Sequence, residues 1–99
     1  MTLEEASDYI KRIDTLQKKL IYEMKFGRGT TTVAANKDEI IECINLNEYY
    51  DENGLYSIVV KKVDKLCELI ESIYNSANVR EKESLKDVKQ SLDIRKTIK

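Results

Sequence analysis

Apolar residues recur along this chain in steps of three and four, and the pattern appears twice. Ala6, Tyr9, Ile13, Leu16 and Leu20 form one such seam, and Val59, Val63, Leu66, Ile70, Ile73 and Ala77 form the other. That spacing lays an apolar stripe along a helix and requires a partner helix to cover it. The two seams predict helices over about 3–26 and 55–77. Thr2 followed by Glu5 forms a capping-box pattern before the first, and Gly27 and Gly29 supply its stop.

Between the seams, Asn36 and Glu39 suggest a second capping box. Ile40, Ile41 and Ile44 give a helix over about 37–53 an apolar face, with Cys43 beside it. The stretch 27–36 reads as a loop, because Thr30-Thr31-Thr32-Val33 disfavours helix. After residue 78, Leu85, Val88 and Leu92 draw a narrow stripe in a charged setting and predict a helix over about 79–97. Ser84 and Asp87 could open a new helix there, or the third and fourth helices could be continuous. Ile10–Leu16 echoes Val60–Leu66 fifty residues later. Coincidence between two charged amphipathic helices accounts for that echo as well as a repeat does, and is the reading preferred.

The expected architecture is therefore all-α. It is a single domain over 1–99, a small antiparallel bundle of three or four helices with coiled-coil-like seams. The absence of Pro and the presence of only three Gly agree with helix throughout. The third helix has Ile58, Val60, Leu69 and Tyr74 off its seam. That is more apolar surface than one neighbour covers, which predicts a homodimer with Val59, Val63, Leu66, Ile70 and Ile73 as the oligomer seam.

Net charge is −1, but its distribution is uneven. Residues 27–54 carry two basic and six acidic groups, and 79–99 carry seven basic and four acidic. These segments are expected to pack together, or to present charged faces to a partner. Abundant Lys, Ile, Asn and Tyr, whose codons are AT-rich, suggest an AT-rich bacterium or one of its phages or mobile elements.

The chemistry is sparse. With no His, Ser-His-Asp and Cys-His catalysis in their usual forms are excluded, and two Cys cannot complete a typical zinc site. Cys43 and Cys67 read as buried small apolar residues in a reducing cytoplasm. Gly27-Arg28-Gly29 lacks the Lys-Ser/Thr of a phosphate loop. Asp51-Glu52-Asn53-Gly54 lacks the ligand pattern of a calcium loop. Neither catalytic residues, cofactors nor metals are expected, and no apolar run approaches a membrane span.

Two surfaces stand out. Glu42, Glu48, Asp51 and Glu52 cluster around Tyr49 and Tyr50, a composition suited to docking on another protein. Lys82, Lys86 and Lys89 share a helix side, with Lys96 two turns on, a stripe able to follow phosphates. The leading expectation is a non-enzymatic protein-interaction module, such as an adaptor, chaperone or inhibitor, acting through its seams and the acidic-Tyr patch. The alternatives are a nucleic-acid-binding regulator using the basic last helix, and a self-assembling coiled-coil component.

Overall fold

The computed structural model describes residues 2–46 and 55–98, and among these it is all-helical. The helices are α1 (Leu3–Met24), α2 (Gly29–Ala35), α3 (Lys37–Ile44), α4 (Leu55–Ser76), α5 (Val79–Ser84) and α6 (Lys86–Ile98). None is long and apolar enough to cross a membrane.

The two long seams do pack together, and α1 against α4 is the most extensive helix–helix contact. They run in the same sense, not antiparallel. Asp14 pairs with Lys62 at 2.9 Å, and further along both helices Met24 and Ile73 line one cleft. A parallel pair is possible because α2 and α3 carry the chain back along the bundle between them. Helices α4 and α6 do run antiparallel: Asp64 meets Arg95, while Tyr74 ten residues later meets Lys89.

The core is one cluster. Ile13, Leu16 and Leu20 of α1 meet the α4 seam, with Val33, Ile40 and Ile44 from α2 and α3 and Leu85, Val88 and Leu92 closing it. Val59, Val63, Leu66, Ile70 and Ile73 are all buried within the single chain. The residues expected to form an oligomer seam are therefore already covered, by α1, α2, α3 and α6. Of the off-seam residues that pointed to a homodimer, Ile58 stays half exposed and Val60, Leu69 and Tyr74 are partly buried.

The expected loop 27–36 is mostly the helix α2. Helix propensity costs about 2 kcal/mol summed over four β-branched residues. Burial of Val33 and most of Thr32 against α1 and α4 returns a similar amount. Thr32 also donates its hydroxyl to the Arg28 carbonyl at 2.8 Å. Asn36 stands at the N-cap of α3 as expected, its carbonyl accepting from Ile40 N, but its side chain makes no capping bond there; the amide donates to the Thr32 carbonyl at 2.8 Å instead. Helix α3 ends at Ile44 rather than near 53, with Asn45 as its C-cap.

The expected helix 79–97 is two helices, broken at Leu85, whose side chain turns fully into the core. The capping box lies not at Ser84 but at Asn78. Its side chain accepts from Glu81 N, and its own N–H donates to the Glu81 carboxylate.

The fifty-residue echo is structural. A 22-residue helix, a break and a short helix occur twice, with α2 and α5 starting at Gly29 and Val79. The buried positions 13, 16 and 20 recur as 63, 66 and 70. The likeness stops at the second helices: α2 buries Gly29, Thr32 and Val33, whereas α5 buries no residue.

Candidate functional site

Two exposed features survive once the core is assigned, and both lie around the end of the bundle where α1 stops. Its closure there is dictated locally. Gly27 takes φ +70°, a left-handed conformation that costs a side chain energy, so Arg28 N reaches the Glu23 carbonyl and Gly27 N the Met24 carbonyl. Beyond Leu20 the apolar residues of α1 leave the buried face, and Ile21, Tyr22, Met24 and Phe26 are exposed. Tyr22 and Phe26, one turn apart, place ring centroids 5.2 Å apart. The Arg28 guanidinium covers the Phe26 ring at 4.9 Å while its Nε donates to Glu23 at 2.6 Å. Phe26 is thus held in a defined position despite its exposure.

Beside this cluster is a cleft of about 230 Å³ between the end of α1, the start of α2 and the end of α4. Gly29 permits the close approach: a Cβ there would stand 3.1 Å from Met24 Cγ and 3.4 Å from Ile73 Cγ1. Thr30, Ser72, Ser76 and Glu81 give one wall polar character. Glu81 is fully engaged, accepting from the Thr30 hydroxyl at 2.6 Å and from Asn78 N at 3.0 Å. The Thr30 bond, then that of Asn78, holds its carboxyl below the ordinary range. The cleft is smaller than most small-molecule sites and suits a single inserted side chain.

The second feature is basic. Lys82 of α5 and Lys89 of α6 bring their ammonium groups to 5.4 and 5.3 Å from the centre of the Tyr74 ring. Lys86, Val79 and Glu83 complete that cleft, which continues past Gln90, Asp93 and Ile94 along α6. The expected stripe is therefore assembled at Lys82, Lys86 and Lys89 but not at Lys96, which pairs with Glu71 of α4.

Of the acidic-Tyr patch, Glu48, Tyr49, Tyr50, Asp51 and Glu52 lie outside the described residues. Glu42 is engaged within the fold. Arg12 donates to both its oxygens, at 3.3 and 2.9 Å, and to Glu39 at 3.3 Å. The Arg12 bond holds the Glu42 carboxyl below its ordinary value, and Glu42 in turn raises the guanidinium further. Acidic α3 does pack against basic α6. Its carboxylates Glu39 and Glu42 are nonetheless balanced from α1, and the α3–α6 ion pair, Lys37 with Asp87, has the reverse polarity.

Cys43 is buried, and desolvation pushes its thiol up to about 11, so it stays protonated at neutral pH. Among the described residues, no group of three His, Cys, Asp or Glu side chains is arranged to hold a metal ion. The aromatic end of α1 is not among the sites expected from the sequence, although Tyr22 and Phe26 at helical spacing, off the seam and next to a Gly stop, carry a signal for it. The part of Tyr74 carried no such signal, because its neighbours come from α5 and α6. No family model, curated protein or solved structure matches the chain.

Proposed function

We propose that this protein is a non-enzymatic module that binds another protein, in the manner of a small adaptor or inhibitor. The observation that carries the reading is the exposed aromatic end of α1. Four apolar side chains, Ile21, Tyr22, Met24 and Phe26, stand in solvent beside a cleft sized for one side chain. Pinned aromatic residues next to a pocket have the make-up of interface anchors: they bury large area at low entropic cost. The seams are core, so the partner surface moves from the seams to this end. Self-association would draw on the same end.

The test is comparative affinity capture with the wild-type chain and the Tyr22→Ala/Phe26→Ala variant, with thermal melts of both. Both side chains are more than half exposed, so the melts are expected to stay close. A protein retained by the wild type and lost with the variant supports the reading. Identical capture by both chains overturns it.

A further inference from the structure

We propose that the groove formed by Tyr74, Lys82, Lys86 and Lys89 docks an acidic amphipathic segment of the partner protein, with Val79 and Ile94 as its apolar contacts. This rests on the protein-binding reading above and names the chemistry of the partner.

The charge is uncompensated where it matters. Lys89 pairs with Asp93 at 3.0 Å, but Lys82 and Lys86 have no ion pair among the described residues. Two ammonium groups converge on one ring, so the groove repels further cations and attracts carboxylates. Its flanks are apolar: Val79 is 87% exposed and Ile94 50%. They lie on different helices, Val79 at the start of α5 and Ile94 on α6 beyond Lys89, so the apolar contacts bracket the lysines. A segment with carboxylates in its middle and an apolar side chain near each end meets all of these features at once.

Nucleic acid fits less well. A single strand needs an open aromatic face for stacking, and Tyr74 carries lysine ammonium groups over its ring. A duplex needs a continued stripe, yet Lys96 is committed to Glu71, and Glu83 and Asp93 line the groove. Phosphates also make no use of Val79 and Ile94.

The experiment measures fluorescence anisotropy of three labelled probes on the full chain. These are an acidic Leu/Glu/Ala peptide of about 20 residues, the same peptide with Lys for Glu, and an oligothymidine of similar length. The acidic peptide is expected to bind, more weakly as salt rises, and the Lys peptide is not. Lys82→Glu/Lys86→Glu should weaken the acidic peptide about tenfold or more, with Lys82→Gln/Lys86→Gln as the milder form if charge reversal unfolds the chain. Val79→Ser should weaken it by a smaller factor. Absent binding of the acidic peptide, equal binding of both peptides, indifference to both lysine variants, or tighter binding of the oligothymidine overturns the assignment. Capture lost with the Phe26 variant but kept with the lysine variants leaves the protein-binding function standing and removes only the acidic segment.

Discussion

The Arg95 guanidinium donates to the backbone carbonyl of Ile44, 3.0 Å away, at the point where α3 ends. The last carbonyls of a helix have no partner inside it, and a cation there also opposes the negative end of the helix dipole. The same side chain donates to Asp64 of α4 at 2.9 Å, so one buried residue of α6 ties together three helices. Arg95→Ala should cost about 3 kcal/mol in urea unfolding, more than Asp64→Asn, because it removes the bonds to both the Ile44 carbonyl and the Asp64 carboxylate. A loss below about 0.5 kcal/mol, the range of an ordinary surface change, would show that Arg95 braces nothing.

The α4 seam separates core from surface one residue apart. Leu66→Ala, at a position with no solvent exposure, should lose about 3 kcal/mol. Ile58→Ala, next to the seam and half exposed, should stay within about 0.5 kcal/mol. Similar losses at both sites would mean that Ile58 is covered in solution, as it would be in a dimer that uses that face.

Gly27 is the one residue with a positive φ among the described residues, and a Cβ there meets nothing within 4 Å. Conformational strain alone therefore sets the effect of substitution. Gly27→Ala should cost about 1 kcal/mol, and Gly27→Asn less, because Asn tolerates the left-handed region better. If Ala and Asn prove equally costly, backbone strain is not the cause.

The Arg12–Glu42 pair gives a pH signature with a defined sign. The folded carboxyl lies below its ordinary value of 4.5. Its stabilisation is therefore present above that value and lost as pH falls through the folded pKa. The pair is part-exposed, so Glu42→Gln should cost only about 0.5 kcal/mol at neutral pH. Chemical denaturation of both chains across pH should show that gap closing on acidification. A gap that widens toward acid would reverse the assignment.

The thiols should differ in reactivity. Neither Cys is in a disulfide; Cys43 is buried with a raised pKa, and Cys67 is part-exposed. An aromatic disulfide reagent at neutral pH is expected to modify Cys67 first and Cys43 only on unfolding. Equal rates in the native protein would mean that α3 opens readily.

What could be read in advance was what local pattern controls. Helices α1 and α4 follow from uninterrupted seams, and the pairing of the two from their lack of any other cover. Helix α2 was missed because Thr30 to Val33 have poor helix propensity, and only burial of Val33 reverses that. Asn36 marks the start of α3 as its sequence position implies, but the capping box with Glu39 does not form, because one side chain between two helices can serve either. The parallel sense of α1 and α4 depends on how far α2 and α3 travel back, which no single helix encodes. For the site, Lys82, Lys86 and Lys89 were legible from spacing along one helix. The loss of Lys96 to Glu71 and the placement of Tyr74 beneath the lysines depend on contacts from another helix.

The parallel pairing of α1 and α4 also sets a schedule for synthesis. The contact between Asp14 and Lys62 spans 48 residues. As the chain leaves the ribosome, Ile13, Leu16 and Leu20 emerge well before α4, their principal cover. At elongation rates of about 5–20 residues per second, that stripe waits for several seconds. During that interval the nascent chain carries an open apolar face, the kind of surface that chaperones bind. Slower synthesis of residues 25–55 lengthens that exposure, a cost that leaves no mark on the folded protein.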